Sequence, residues 1–301
     1  MGRGSYTASD WSKLKNSRNL GNVRNEQEIF KNRSCDPRFN PIFIQKREAR
    51  DSEDHPESVP IIIGLDVTAS MGFLAKKVAE ESLNETMMKL YSTNAVKDPA
   101  LMFAAYGDYG DTAPLQVTQF ESDIRIAEQL LDLWLENGGR GMVVPQLLWY
   151  FAANHTLVDN YEKRKQKGFI FTIGDNAECR DDLKYDQTRA LHGQVFGEDT
   201  PINVRDTVKA AGEKYEMFHI FINHGPLKPV NNISDILPGH TMKIKTGDID
   251  MIPELIISTI QMAGGMSLVD TLKQWPEEKL PVLYKALSEL KFEKPKKGLF
   301  F

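Results

Sequence analysis

The segment that most constrains the fold is an apolar run that ends in an acid. Residues 59–66 read VPIIIGLD, and hydroxyl side chains follow at alternate positions, Thr68 and Ser70. A continuous apolar run of this length is typical of a strand that is buried on both faces of a parallel sheet. Open α/β sheets bind their ligands at the carboxyl ends of such strands. The run therefore predicts an α/β fold with a functional site that begins at Asp66.

The side chains after this strand offer oxygen atoms at one place. Mg²⁺ prefers about six oxygen ligands in near-octahedral geometry and keeps several waters, so a carboxylate and two hydroxyls form a plausible partial shell. Asp66, Thr68 and Ser70 are thus candidate metal ligands. A second interpretation stays open, because Asp, Thr and Ser also favour the N-cap positions of helices.

Strand-like and helix-like patterns alternate through the middle of the chain. Further apolar runs of strand length lie at 100–106, 168–174 and 217–223, with helical spacing of apolar residues between them. Such alternation predicts βαβ units, and so a doubly wound, mostly parallel sheet with helices on both faces. Residues 115–120 alternate in polarity, which predicts a short, half-exposed strand.

The composition changes at both ends of this pattern. Residues 1–58 are polar with scattered apolar side chains, residues 59–265 carry the α/β pattern, and residues 266–301 contain one helical stretch and a basic end. We therefore predict an N-terminal arm, a single α/β domain and a C-terminal helical tail. Two interpretations of the arm stay open: it packs on the outside of the domain, or it docks on a partner.

The motif Asp66-x-Thr68-x-Ser70 after a buried strand resembles the metal-ion-dependent adhesion site (MIDAS) of the von Willebrand factor A (vWA) domain family. Asp175, directly after the strand-like run 168–174, matches the acid in that family's third loop. The resemblance covers residues 59–265. It implies a Rossmann-like vWA fold with N- and C-terminal extensions. It also implies that Asp66, Thr68, Ser70 and Asp175 hold Mg²⁺, or Mn²⁺ or Ca²⁺ in its place.

The chain departs from the family pattern in the second loop. The family places a Thr or an Asp there, whereas residues 137–141 read NGGRG, with Arg140 near the ligand position. Either the metal binds weakly, or the guanidinium pairs with Asp66 or Asp175 and replaces the metal.

Two further acids belong to a motif near the end of the second strand. The run from Tyr106 to Asp111 reads YGDYGD and resembles the branch of the family found in bacterial and phage proteins and near atypical kinases. Asp108 and Asp111 are expected at the rim of the site as hydrogen-bond acceptors around the ligands. The alternative is that they are solvated acids of a turn.

The overall composition excludes several classes of function. A net charge of −5 argues against general nucleic-acid binding, and no apolar stretch is long enough to span a membrane. The first residues show no hydrophobic signal region, and the two cysteines, Cys35 and Cys179, form no metal or disulfide pattern. We therefore expect a cytoplasmic protein.

Three functions remain, and the resemblance favours the first. It implies a non-enzymatic module that binds a protein partner through the metal, with the partner supplying a carboxylate. A metal-dependent phosphoesterase or phosphotransferase would need Asp-x-Asp, but Thr68 stands at the second position and cannot act as a general acid. The third function is a structural or assembly protein that self-associates through its extensions.

Overall fold

The computed structural model of this chain describes residues 4–20, 26–78, 82–139, 143–175, 185–223 and 233–292. Its strands in chain order are β1 (Arg47–Ala49), β2 (Ser58–Asp66), β3 (Asp98–Tyr106), β4 (Leu115–Val117), β5 (Thr156–Val158), β6 (Gly168–Gly174), β7 (Tyr215–Asn223) and β8 (Thr241–Lys245). Its first helices are α1 (Ala8–Arg18), α2 (Glu26–Ile29), α3 (Gly72–Lys77), α4 (Leu83–Ser92), α5 (Arg125–Leu131), α6 (Gln146–Asn154) and α7 (Asp159–Arg164). The later helices are α8 (Tyr185–Phe196), α9 (Val204–Lys214), α10 (Ile233–Ile236), α11 (Ile252–Ala263), α12 (Leu268–Leu272) and α13 (Leu280–Leu287).

Six of these strands form the central sheet, in the order β4-β3-β2-β6-β7-β8. Only β4 runs antiparallel to its neighbour among the described strands of this sheet. The prediction of a doubly wound, mostly parallel sheet is confirmed. Strand β2 lies in the middle, where Asp66 pairs with Tyr106 of β3 and Leu65 pairs with Ile173 of β6. Asp66 therefore lies at the centre of the carboxyl edge of the sheet.

Both faces of the sheet are covered because β2 and β3 are apolar at successive positions. Ile61, Ile63 and Leu65 join one hydrophobic cluster with side chains from α3, α4 and α11. Ile62 faces the opposite way, into a second cluster with side chains from α6, α8 and α9. This double burial explains why the strand reads as a continuous apolar run and shows no alternation.

The described part of the N-terminal arm packs on the first of these clusters. Tyr6, Trp11, Leu14 and Phe39 are buried with the side chains of the domain. Strand β1 pairs in parallel with β5 in a separate two-stranded sheet. The arm thus contacts the domain's own surface, whereas its docking on a partner and the three-part division of the chain remain predictions.

A buried ion cluster joins α11 to α4 and to the C-terminal segment. Glu254 of α11 accepts hydrogen bonds from Lys89 of α4, at 2.6 Å, and from Lys279. Burial alone would raise the pKa of Glu254, but these two lysines bring it below its usual range. Trp275 donates to the hydroxyl of Ser258 at 2.8 Å. None of the described helices is both long and apolar enough to cross a membrane.

The prediction of a half-exposed strand at 115–120 is wrong in its exposure. All three residues of β4 are buried. The arm covers this strand: Val117 donates its N–H to the carbonyl of Phe39 at 2.9 Å, and Arg47 donates to the carbonyl of Val117 at 3.1 Å. The buried side chain of Gln116 makes hydrogen bonds with the backbone of Trp134. The polar residue in the alternating pattern is therefore buried, which is why the pattern wrongly predicted exposure.

We expect His219 of β7 to make the fold sensitive to acid. Its ring is fully buried beside the Thr172 hydroxyl, 2.9 Å from Nδ1, and burial lowers its pKa to about 3. The unfolded chain takes up this proton near pH 6.5, so the stabilising effect of the neutral ring is complete above that pH and is lost as the pH falls from 6.5 towards 3. Between pH 7.5 and pH 5, urea unfolding should show that His219→Gln loses about 2 kcal/mol less than the wild type. Equal losses would show that His219 is protonated in the folded state.

Candidate metal site

Asp66 is held in one orientation at the end of β2. It is fully buried, and its Oδ1 accepts hydrogen bonds from the Thr68 N–H at 2.9 Å and the Thr68 hydroxyl at 2.7 Å. Its other oxygen, Oδ2, is buried without a hydrogen-bond partner among the residues that the structure describes. A buried carboxylate oxygen without a donor is costly, and so this atom calls for a cation or a donor.

The two hydroxyls follow in a tight turn. Residues Ala69–Met71 form one turn of 3₁₀ helix, which leads directly into α3. The Thr68 and Ser70 hydroxyl oxygens are 3.4 Å apart, with Thr68 buried and Ser70 exposed. Thr68 stands at the N-cap of this turn but makes no capping hydrogen bond. Its hydroxyl serves Asp66 instead, which favours the metal-ligand interpretation over the helix-cap interpretation.

The third loop approaches Asp66 from β6. A Cβ atom on Gly174 would lie 2.9 Å from the Asp66 Oδ2, so only glycine allows this approach without a shift. The hydroxyl of Tyr106 donates to the carbonyl of Ile173 at 2.9 Å and fixes the end of β6 against β3. Asp175 follows directly, is partly exposed and lies close enough to raise the pKa of Asp66.

The second loop also touches the first. The carbonyl of Gly138 accepts a hydrogen bond from the N–H of Ala69 at 2.8 Å. Gly139 has a φ of +147°, and a Cβ there would lie 3.8 Å from the Thr68 Cβ. Arg140, which the sequence places near the ligand position, lies outside the described residues. The described part of this loop nevertheless shows that it packs on the turn that carries Thr68.

Asp108 and Asp111 lie at the rim and are buried. Asp111 accepts the N–H of Asp108 at 2.8 Å, and Asp108 accepts the N–H of Gly110 at 3.2 Å. A Cβ on Gly138 would lie only 1.7 Å from the Asp111 Oδ1, so Asp111 sits directly against the second loop. Glu136 accepts N–H groups from the same rim turn, at Thr112 and Ala113. Asp111 thus links the rim turn to the loop beside Thr68.

Among the described residues, burial and neighbouring carboxylates both disfavour the ionised form of Asp66. Burial raises its pKa to about 7, the hydrogen bonds from Thr68 oppose this rise, and the charges of Asp175 and Asp111 add to it. A divalent cation beside Oδ2 would remove this electrostatic cost. Carboxylate and hydroxyl oxygens are the ligands that Mg²⁺ and Ca²⁺ prefer, so the donor set fits a hard cation.

Among the described residues, carboxylates alone do not form a metal shell. In the described ranges no three His, Cys, Asp or Glu side chains gather closely enough to hold a metal ion. Asp66 and Asp175 would therefore need the hydroxyls of Thr68 and Ser70, together with water, to complete a shell. This is a lighter protein shell than a cage built from several carboxylates.

The roles of two residues in this architecture were not predicted from the sequence. The hydroxyl of Tyr106 anchors the third loop, and the carboxylate of Glu136 anchors the rim turn. A tyrosine at the end of a buried strand is a weak signal for such a role, because most aromatic residues in strands simply pack. Glu136 directly precedes the Asn-Gly-Gly turn, and no local pattern shows that it reaches residues 112–113.

Comparisons with known proteins return structural similarities but no family. No protein-family model matches the chain, and no curated protein matches it. The open conformation of the pilus adhesin SpaC from Lactobacillus rhamnosus GG is similar with a TM-score of 0.46 and 10% identity, over 70% of this chain and 31% of that one. A von Willebrand factor type A protein from Catenulispora acidiphila is similar with a TM-score of 0.40 and 12% identity, over 68% of this chain and 42% of that one.

A third similar structure is the proximal thread matrix protein 1 of the mussel byssus with a zinc-occupied MIDAS motif. The TM-score is 0.44 at 11% identity, over 68% of this chain and 48% of that one. This chain therefore spans between about a third and a half of the length of these proteins. We interpret the site from this chain's own residues.

The contact between Asp111 and Gly138 can be tested by measuring the free energy of unfolding of variants at both positions. Gly138→Ala should destabilise the protein by about 1–3 kcal/mol, because its Cβ would overlap the Asp111 carboxylate. Gly110→Ala is the matched control, since no atom lies within 4 Å of its Cβ position. In chemical denaturation, the double variant Asp111→Ala/Gly138→Ala should lose less than the sum of the single variants. Strict additivity would show that the two residues do not touch.

Proposed function

We propose that this chain is a non-enzymatic protein–protein interaction module that binds its partner through a MIDAS-like divalent-metal site at the carboxyl edge of the sheet. The observation that carries the proposal is the buried Oδ2 of Asp66, which has no hydrogen-bond partner among the described residues. Asp66 sits where three loops meet, and two of them supply further oxygen ligands. The proposed ligands are Asp66, Thr68, Ser70 and Asp175.

Each ligand has a distinct task in this proposal. Asp66 provides the buried negative charge, and Thr68 both orients that carboxylate and presents its own oxygen. Ser70 and Asp175 are the more exposed members and face the side from which a partner arrives. When bound, a cation such as Mg²⁺ or Mn²⁺ supplies an open coordination position that a partner's carboxylate can fill.

The charge of the rim makes this partner binding depend on metal. Asp111 and Glu136 lie around the site together with the proposed ligands, and Asp111 already raises the pKa of Asp66. Without a cation, a partner's carboxylate would meet the negative charges of Asp66, Asp175 and Asp111, and like charges placed together cost several kcal/mol at an interface. The acidic partner is therefore expected to bind only the metal-loaded form.

An enzymatic role is less well supported by the same residues. Phosphoesterases of comparable fold need a second carboxylate as general acid, and Thr68 holds that position with its hydroxyl donating to Asp66. Around this site, the described residues show no nucleophile paired with a base. We therefore propose binding without turnover.

The proposed site predicts how substitutions change the affinity for Mn²⁺. Isothermal titration with Mn²⁺ should show one site in the wild type and none in Asp66→Asn, which keeps the shape but removes the charge. Thr68→Val should weaken Mn²⁺ binding by roughly tenfold or more, whereas Thr68→Ser, the matched control, keeps the hydroxyl and should bind within about threefold of wild type. Equal Mn²⁺ affinity in the wild type and Asp66→Asn would overturn the assignment.

Because Arg140 replaces the usual second-loop ligand of the vWA pattern, its substitution by Thr is expected to raise the affinity for Mn²⁺. Arg140 stands where the vWA pattern has its second-loop ligand, so we propose that its guanidinium lies near the cation. Arg140→Thr should tighten Mn²⁺ binding several-fold, because it removes a like charge and adds a hydroxyl ligand. Unchanged affinity would mean that Arg140 points away from the site.

The binding function is tested by capture of a partner. Immobilised wild-type protein should retain an acidic partner from extract in Mg²⁺ and release it in EDTA, and Thr68→Val should retain little in either buffer. Retention that is equal in Mg²⁺ and EDTA, and equal for Thr68→Val, would contradict a metal-dependent module.

A further inference from the structure

A basic groove lies on the arm, separate from the metal site. It encloses about 680 Å³, and its lining includes Arg38, Phe39, Phe43, Ile44, Lys46 and Arg47. We call these six residues the basic groove. The acid Glu48 also lines it and pairs with Arg50 at 3.3 Å. The groove runs beside β1, whose one strand partner among the described residues is β5. The groove thus combines positive charge, apolar surface and a strand with a single neighbour.

Two cations of the groove lack an acidic partner among the described residues. Lys46 donates only to the carbonyl of Asn154, and Arg47 donates to the carbonyls of Arg38 and Val117. The Arg47 Nε is buried without a hydrogen-bond partner. Burial lowers the pKa of Arg47 to about 10, and Glu121 opposes this shift without forming an ion pair. A desolvated guanidinium of this kind favours an incoming carboxylate.

The apolar part of the groove is exposed. The side chain of Phe43 is 68% exposed, more than any other large hydrophobic side chain in the described residues, and the adjacent Ile42 is 42% exposed. Both belong to the short 3₁₀ turn Pro41–Phe43. Exposed aromatic residues beside an arginine are the typical composition of the centre of a protein interface.

The complementary charge lies a few residues further along the same chain. Glu53 and Asp54 are exposed, and no hydrogen bond or ion pair engages their side chains among the described residues. The turn that carries them is rigid: Ser52 donates to the carbonyl of His55 at 2.9 Å, and the N–H of His55 donates to the Ser52 hydroxyl at 3.1 Å. Asp51 anchors the turn to Arg164 at 2.8 Å. The cations at this turn, Arg164 and Lys163, pair with Asp51, at 2.8 and 3.2 Å, and not with Glu53 or Asp54.

We propose that the basic groove binds the acidic turn, Glu53 and Asp54, of a second copy of this chain, and that this exchange is reciprocal in a two-fold symmetric dimer. A symmetric dimer uses the same surface of both copies, so in the proposed dimer each groove meets the acidic turn of the other copy. Phe43 and Ile42 lie beside the paired charges and are covered in the dimer. The metal site takes no part in this contact, so the dimer forms equally in EDTA.

Charge reversal gives a decisive test by analytical ultracentrifugation. Wild-type protein should form dimers at micromolar concentration, whereas Lys46→Glu alone and Glu53→Lys/Asp54→Lys alone should each dimerise at least about tenfold more weakly. An equimolar mixture of the two variants should recover the dimer, because each half of the interface again joins opposite charges. A monomeric wild type, or a mixture that stays monomeric, would overturn the proposal.

A second pair of variants tests the apolar contact. Phe43→Ser should weaken the dimer by about tenfold, which is the usual cost of losing an aromatic anchor at an interface. Val269→Ser, at a similarly exposed position on α12, should leave dimerisation unchanged. Equal dimerisation of Phe43→Ser and Val269→Ser would show that the apolar side of the groove is not buried between copies.

Discussion

The structure of the site depends on one buried carboxylate at the end of the central strand. Asp66 is fully excluded from solvent, and its Oδ1 is satisfied by Thr68 while no described residue donates to its Oδ2. Burying a carboxylate without full compensation costs several kcal/mol. The fold accepts this cost because β2 is flanked by β3 and β6, whose ends carry the other loops of the site to the same point. The parallel sheet thus buries the Asp66 carboxylate and also brings the neighbouring loops to it.

The loops around Asp66 act as one packed unit. Gly174 allows the third loop to approach Asp66. The carbonyl of Gly138 accepts a hydrogen bond from the N–H of Ala69. The Asp111 carboxylate fills the space that a Cβ on Gly138 would need. These contacts are backbone and carboxylate contacts at close range, so small changes at the rim should reach Asp66 and Thr68. The buried aromatic side chains of the arm pack on the cluster that covers one face of the sheet, and the Glu254 ion cluster joins helices α4 and α11 on that face.

The sequence was informative where a pattern is local. The apolar runs of β2, β3, β6 and β7 identified the sheet, and the placement of acids after two of these runs predicted that Asp66 and Asp175 share an edge. Relationships between distant segments could not be predicted. Nothing near Glu136 indicates that it binds the turn at 112–113, and nothing near Leu115 indicates that Phe39 and Arg47 cover β4. Such contacts are decided by how the loops pack after the sheet has formed.

The most direct measurement of the central claim is anomalous diffraction from a crystal of the protein grown with Mn²⁺. We expect a single strong manganese peak within about 2.0–2.6 Å of oxygen atoms from Thr68 and Ser70, beside Asp66 and Asp175. A crystal in which the manganese peak lies elsewhere, or in which no peak appears while Asp66 Oδ2 accepts a hydrogen bond from a protein donor, would contradict it.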